Sequence, residues 1–314
     1  MSATRDAPPY RAAPDNAVAR GPSRQLRPIP LSVVLAAMSP NLLFGLALFA
    51  APVVLVLLYS LGTLDYLTLT VHWGWTTGSY QMALGPPYLQ TFARAFVLAV
   101  ATVVACTPPA FAISLVIVRA SARARVALFL LVLFPFWTSF IVRTYAWTNI
   151  LGPEGYVANL SSQLGHRIVL LGTYWGILIG MVAAYLPIMT LPVFVALSRV
   201  PDQLLDAARD LGAGEWRILR TILIPGAAPG FAAGALLVGI PAAGEYVVPA
   251  VLGAGKVTLV GGLLADELQN TGNYPLGAAL TVGLIVLMLL MLVGGKLIQI
   301  SVVRARSAFA LGAP

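Results

Sequence analysis

The chain has 314 residues, of which 59% are hydrophobic and only 10% are charged. Soluble domains carry roughly 25% charged residues, so this composition excludes an ordinary water-soluble protein and indicates a protein that crosses a membrane several times. The net charge of +8 would suit a nucleic-acid-binding protein. That class is excluded because the basic residues are dispersed over short segments that flank apolar runs.

The apolar runs predict how the chain is divided. Residues 1–39 are rich in Pro, Ala and Arg and predict a largely disordered N-terminal tail. Residues 40–300 form a predicted transmembrane domain, and residues 301–314 a C-terminal tail. Six runs in the domain reach the length of about 20 residues that a helix needs to cross a bilayer: 41–61, 92–118, 126–149, 169–197, 226–252 and 277–299. We therefore expect an all-α membrane protein with six transmembrane helices, kinked at their internal prolines.

The distribution of Lys and Arg predicts the orientation of these helices. With the N-terminus inside, fifteen of the 19 basic residues lie on the cytoplasmic side. The other four are Arg94, Arg143, Arg167 and Lys256. Because Lys and Arg are enriched in cytoplasmic loops, both termini are predicted to be cytoplasmic.

A charged segment between the fourth and fifth runs, residues 200–225, has helical periodicity. Its apolar stripe consists of Leu204, Leu205, Ala208 and Leu211. Asp202 is predicted to be the N-cap or a first-turn acid of this helix, and Gly212 its left-handed C-terminal residue. A second short helix is predicted over 215–223, before Pro225 starts the next span. The stripe requires either a partner surface or the protein's own spans and the headgroup layer, and the pattern leaves both open.

The 200–225 segment carries a recognisable motif. Asp206-Ala207-Ala208 is followed after three residues by Gly212, and after nine more by Ile222-Leu223-Ile224-Pro225. This spacing resembles the signature cytoplasmic loop of binding-protein-dependent ABC importer permeases, with Asp in place of Glu and Ile224 in place of Leu. The resemblance implies a type I ABC importer permease fold. It also implies that coupling helices dock on an ATPase subunit through Asp206, Ala207, Ala208, Gly212, Ile222 and Pro225.

The same resemblance implies the partners. These are a second homologous permease, an ATPase dimer, an extracytoplasmic substrate-binding protein and membrane lipid, with no nucleic acid. ATP and Mg would be bound by the ATPase, and this chain would bind no cofactor or metal and would not be an enzyme. The residues agree with that expectation, because Gly253-Ala-Gly-Lys-Val257 fails the P-loop pattern at two positions.

Three further stretches, 135–148, 241–257 and 274–283, resemble the first permease subunit of spermidine/putrescine importers. This resemblance implies a polyamine substrate. Opines, phosphonates and ferric iron remain open as substrates, because related importers carry them. A self-sufficient secondary transporter is a further alternative, but it would require coupling-ion carboxylates in several spans. The sequence places only Glu245 inside a predicted span.

Glu245 is also the main candidate for a pathway or gate residue. Beside Tyr246, it could attract an ammonium group, with aromatic faces supplied by Trp137, Tyr145 and Trp147. The alternative for these aromatic residues is a membrane-interface belt without a transport role. Arg143 is expected to pair either with Glu245 or with the partner permease.

Overall fold

A computed structural model describes residues 31–65, 68 and 70–311. The chain divides into two units, Met1–Ala51 and Pro52–Pro314. Five helices in the described residues are long and apolar enough to cross a membrane, and one bent helix pair supplies a sixth candidate span. The predicted all-α membrane fold is therefore confirmed.

The elements follow one another in three groups. The first contains α1 (Leu31–Ser60), β1 (Thr63–Asp65), β2 (Thr70–His72), α2 (Gly78–Ala83) and α3 (Pro86–Arg119). The second contains α4 (Ala122–Leu133), α5 (Phe140–Leu151), α6 (Tyr156–Gln163), α7 (Tyr174–Leu197), α8 (Asp202–Asp210) and α9 (Glu215–Ile218). The third contains α10 (Ile224–Ala243), α11 (Val247–Leu252), α12 (Val260–Gln269) and α13 (Tyr274–Leu311). The two strands form an antiparallel hairpin in which Thr63 lies opposite His72.

The core of the second unit lies where α3, α7 and α10 pack against one another. Small residues bring these helices close together. A Cβ atom added at Gly230 on α10 would lie 2.6 Å from the carbonyl oxygen of Pro192 on α7. A Cβ atom at Gly234 would lie 2.4 Å from the Sδ atom of Met189. Lipid provides little hydrophobic drive between helices, so close van der Waals packing at small residues has to hold such a bundle together.

The third predicted span, 126–149, was expected to be kinked at its internal proline, and the structure shows a complete break there. Helix α4 ends in a 3-10 turn, Phe134–Trp137, and the chain then bends by 92° before α5. Pro135 has no N–H group and its ring disfavours helical packing against the preceding turn, so the helix is broken there. The hydroxyl group of Thr138 donates a hydrogen bond to the carbonyl oxygen of Pro135 at 2.9 Å.

The first and last helices extend into the segments that were predicted as tails. Helix α1 begins at Leu31, so 31–39 are helical, while residues 1–30 lie outside the described part of the chain. The stretch after Pro30 contains neither glycine nor charge, and nothing in it opposes helix formation. Helix α13 continues to Leu311 because the residues after 300 are mostly good helix formers.

Candidate functional site

Helix α8 forms the first half of the 200–225 segment and ends in a Schellman motif. The backbone N–H of Ala213 donates to the carbonyl oxygen of Ala208 at 2.9 Å, and that of Gly212 donates to Arg209 at 2.8 Å. Gly212 has a φ angle of +78°, the left-handed conformation that glycine adopts at no steric cost. The predicted turn at Gly212 is therefore present, and it leaves the end of α8 with its carbonyl groups satisfied.

The start of α8 distinguishes between the two roles predicted for Asp202. Pro201 occupies the N-cap position, and Asp202 is the first residue of the helix. Its carboxylate is thus a first-turn acid that complements the positive end of the helix dipole. Asp206 and Ala207 follow on exposed positions of the same helix.

The apolar stripe of α8 is divided between two surfaces. Leu205 and Ala208 pack against a buried cluster that includes Val193 of α7 and Leu223. Leu204 and Leu211 are exposed. One half of the stripe therefore anchors α8 to the protein's own spans, and a partner surface for the other half stays a prediction. The other half remains an apolar surface, on which Leu211 is 89% exposed.

An ionic network ties α8 to neighbouring elements. Arg209 lies 3.2 Å from an oxygen of Asp206 and 3.2 Å from an oxygen of Glu215 at the start of α9. The other oxygen of Glu215 lies 3.4 Å from Arg119 at the end of α3. Asp206, one of the residues through which docking on an ATPase is expected, is thus already paired within its own helix. A single exposed ion pair stabilises little, but linked pairs hold the segment in one geometry more effectively.

The second half of the segment departs from the prediction of a separate short helix. Helix α9 leads through a π-helical turn, Leu219–Leu223, directly into α10. The backbone N–H of Ile224 donates to the carbonyl oxygen of Leu219, a bond that is one residue longer than in an α-helix. Pro225 is the second residue of α10 and has no N–H to continue the ordinary pattern. Ile222 is half-buried in this turn and packs against the cluster beneath α8.

Glu245 lies where the fifth predicted run is interrupted, between α10 and α11. One of its carboxylate oxygens accepts a hydrogen bond from the hydroxyl group of Tyr185 at 2.7 Å. The other accepts from the backbone N–H groups of Val247 and Val248, at 2.9 Å and 3.5 Å. The carboxylate therefore caps α11 and connects the interruption to α7, while the neighbouring Tyr246 is exposed.

Arg143 does not form the ion pair with Glu245 that the sequence suggested. Its guanidinium group instead donates a hydrogen bond to the carbonyl oxygen of Pro135 and lies 5.6 Å from the ring centre of Phe140. The same carbonyl also accepts hydrogen bonds from the backbone N–H and the hydroxyl group of Thr138, at 3.3 Å and 2.9 Å, so Arg143 binds at the break in the third span. The alternative pairing of Arg143 with a partner permease stays a prediction.

The predicted aromatic residues occupy different surroundings. Trp137 is 74% exposed and makes an edge contact with Phe134, and Tyr145 is also exposed. Trp147 is half-buried against the core that contains Tyr185. Helix α5, which carries Tyr145 and Trp147, packs against α11 next to Glu245. These placements agree with a pathway role and with an interface belt alike, so both remain predictions.

The sequence reasoning missed three partners in this region. They are Tyr185, Arg119 and Glu215. Tyr185 was the hardest to find, because it lies 60 residues from Glu245 in the chain and sits in an apolar run. The spacing of Asp206 and Arg209 does signal an (i, i+3) pair. Within the described ranges, no three His, Cys, Asp or Glu residues come together in a way that could hold a metal ion.

Known proteins share both the sequence and the fold. The family of binding-protein-dependent transport system inner membrane components matches residues 82–306. The spermidine/putrescine permease protein PotB of Haemophilus influenzae is 32% identical over 220 residues, which cover 69% of this chain and 77% of that protein. PotB of Escherichia coli is 31% identical over 220 residues, covering 69% and 80%. A solved bacterial ABC transporter that imports the acidic polysaccharide alginate has a chain with a TM-score of 0.65 at 13% identity, covering 85% of this chain and 95% of its own.

The fold and the family match together define the class of this protein. It is a multi-span permease subunit of an ABC importer, located in the inner membrane. More particularly, the chain belongs to the family of binding-protein-dependent transport system inner membrane components.

Proposed function

We propose that this permease carries polyamines, spermidine or putrescine, as half of the translocation pathway of an ATP-driven importer. The observation that carries the proposal is the similarity to the two PotB proteins, which extends over more than two thirds of this chain. The family match over residues 82–306 includes Glu245, the carboxylate at the interruption of the fifth run. An ammonium group is the substrate chemistry that such a partly buried carboxylate would favour.

The 200–225 segment would couple this permease to a separate ATPase. Leu204, Leu211 and Trp216 are exposed there, and a row of large apolar side chains next to charged ones suits a protein partner. The ion pairs of Arg209 and Glu215 would hold the segment rigid, so that a push on α8 moves α3 and α10 as well. The ATPase dimer would bind ATP and Mg, and this chain would bind neither.

The remaining partners follow from the orientation proposed for the chain. With fifteen basic residues on one side, we place both termini and the 200–225 segment in the cytoplasm. The family's description as binding-protein-dependent supports a separate substrate-binding protein on the opposite side. A second, homologous permease would complete the pathway.

One observation favours another small solute as the second candidate. Both oxygens of Glu245 already accept hydrogen bonds, from Tyr185 and from the start of α11. A carboxylate so occupied could serve only to hold the interruption in place, and the substrate would then be selected by the binding protein. An importer of an opine, a phosphonate or ferric iron would have the same architecture.

ATP-dependent uptake into liposomes tests the proposal. The chain is reconstituted with its own ATPase, second permease and binding protein, and labelled spermidine and putrescine are offered. Glu245→Gln keeps the size of the side chain but removes its charge. We expect wild-type uptake of a polyamine and a strong reduction in Glu245→Gln, with ATPase binding unchanged. Polyamine uptake equal to that of the wild type in this variant would favour the purely structural role. No polyamine uptake at all, with another solute transported, would reject the substrate.

The same preparation tests coupling. Leu211→Glu puts a charge into the exposed apolar row, and we expect it to weaken ATPase binding at least tenfold, on the order of one hot-spot residue. Leu164→Glu is the matched control, because Leu164 is 79% exposed at the end of α6, far along the chain from the segment. Undiminished ATPase binding in Leu211→Glu would reject α8 as the docking surface, whatever the substrate.

A further inference from the structure

Arg94 is a charged residue within a membrane-spanning helix. Its side chain is exposed on α3. Within the part of the chain that the structure describes, it takes part in no hydrogen bond, ion pair or ring contact. A guanidinium group near hydrocarbon is costly unless an anion or water meets it. Among the other basic residues assigned to this side of the bundle or to the spans, Arg143 and Arg167 both have partners in the protein.

The length of α3 places Arg94 close to the level of the lipid headgroups. The helix has 34 residues and so extends about 51 Å, well beyond the roughly 30 Å of a bilayer's hydrocarbon core. Arg94 is nine residues into it, about 12 Å from the start. If the bilayer is centred on α3, the Cα atom of Arg94 lies near the edge of the hydrocarbon, and the long side chain reaches the phosphate layer.

Two aromatic residues mark the same level on the neighbouring helix. Tyr174 and Trp175 are the first residues of α7, and both are exposed. Together with Arg94 they line one cleft between α3 and α7. Tyr and Trp concentrate at the boundary between headgroups and hydrocarbon, where the ring is apolar and the N–H or O–H group can reach polar atoms.

The cleft continues from these residues toward the middle of the membrane. Its volume is about 520 Å³, and its further walls are Val97, Ala101 and Leu178. From Arg94 to Ala101 the cleft extends about 10 Å along the helix axis. The deeper walls are entirely aliphatic, and the mouth holds a single positive charge.

We propose that this cleft binds an anionic phospholipid, with its phosphate at Arg94 and one acyl chain between α3 and α7. The charge at the mouth requires an anion, and the aliphatic walls require an apolar chain attached to it. A free phosphate would satisfy only the first requirement. Tyr174 and Trp175 would flank the headgroup, as aromatic side chains do at the boundary between headgroups and hydrocarbon.

Native mass spectrometry of the intact chain, co-purified with its partner subunits, tests the proposal. Phosphatidylglycerol and phosphatidylcholine with the same acyl chains are compared as ligands. Arg94→Gln is expected to weaken the binding of phosphatidylglycerol about tenfold, the effect of losing one charged hydrogen bond. It should weaken the binding of phosphatidylcholine less, because the choline cation already balances the charge of that lipid's phosphate. Arg167→Gln removes one positive charge from an exposed loop outside the cleft and is the matched control, expected to have no effect.

A second variant tests the apolar part of the cleft. It keeps the proposal testable even if the Arg94→Gln variant does not fold. Ala101→Phe fills the cleft and keeps Arg94, and it should also reduce phosphatidylglycerol binding about tenfold. Glycerol 3-phosphate, which has the charge but no acyl chain, should not compete. The proposal is overturned if Arg94→Gln binds phosphatidylglycerol like the wild type, or if Arg167→Gln loses as much. It is also overturned if glycerol 3-phosphate displaces the lipid, or if Arg94→Gln releases the second permease instead.

Discussion

At the scale of single residues, Glu245 illustrates how a carboxylate is held at an interruption of an apolar run, just beyond the end of the span Glu215–Ala243. A charged group there is costly, and in this protein three donors meet it at once. Two of them are the backbone N–H groups of Val247 and Val248. They are free to donate to the carboxylate because the helix is interrupted and restarts at Val247. The third is the hydroxyl group of Tyr185, which α7 carries to the same place. The interruption and the carboxylate therefore stabilise each other.

The hydroxyl group of Tyr185 is expected to contribute measurably to stability. Tyr185→Phe removes a hydrogen bond to a charged, partly buried acceptor and should lower the free energy of unfolding by about 1.5 kcal/mol. Tyr246→Phe is the matched control, because Tyr246 is exposed and its hydroxyl group has no partner among the described residues. Unfolding in mixed detergent micelles would measure both. Equal stability of the two variants would mean that the Tyr185 contact contributes nothing.

At the scale of elements, the 200–225 segment depends on the turn that joins α8 to α9. The Schellman motif at Gly212 reverses the chain within three residues, and this reversal lets Arg209 reach Glu215. Residues 212 and 214 are both glycines, but only Gly212 has a positive φ angle. Gly214 has a φ angle of −67°, which any residue can adopt.

This difference in φ angle predicts that the same substitution, glycine to alanine, has an effect at residue 212 and none at residue 214. Gly212→Ala forces a Cβ atom into the left-handed region, at a cost of about 1 kcal/mol. We expect hydrogen exchange at the amides of Gly212 and Ala213 to become about fivefold faster, with weaker ATPase binding. Gly214→Ala should leave both unchanged, since no atom lies within 4 Å of the added carbon. Equal exchange in the two variants would contradict the role of the turn.

At the scale of the whole molecule, the bundle of α3, α7 and α10 is held by close helix contacts. Those at Gly230 involve backbone atoms and cannot be relieved by moving a side chain. A Cβ atom at Gly230 would lie 2.6 Å from the carbonyl oxygen of Pro192 and 2.7 Å from the Cα atom of Val193. The two helices would have to move apart as units, which affects every contact along their length.

Gly230→Ala is therefore expected to destabilise the permease by about 1–3 kcal/mol, the usual cost of overpacking. The control is Gly294→Ala in α13, where no atom lies within 4 Å of the added carbon and alanine favours the helix. Thermal unfolding in detergent should show a lower Tm for the first variant and an unchanged or higher Tm for the second. An unchanged Tm for Gly230→Ala would show that α7 and α10 are less tightly packed than their distance implies.

The sequence by itself determined where the chain is apolar and where it is charged. Bilayer thickness and the absence of water in the hydrocarbon constrain each span locally, so the apolar runs predicted the all-α fold. The helix and turn of the 200–225 segment could be predicted equally well, because the motif spacing and the glycine at 212 are local properties of the sequence. The third span was predicted too simply, since a proline within an apolar run is compatible with either a kinked helix or a break.

Only the tertiary structure decided which distant groups meet. Tyr185 and Glu245, Arg119 and Glu215, and Arg94 beside Trp175 are each separated by at least 60 residues in the chain. Their proximity depends on how α3, α7 and α10 pack, which follows from the shapes of many small side chains taken together. Hydrophobicity along a chain carries no information about such pairings, because lipid satisfies every apolar face equally well.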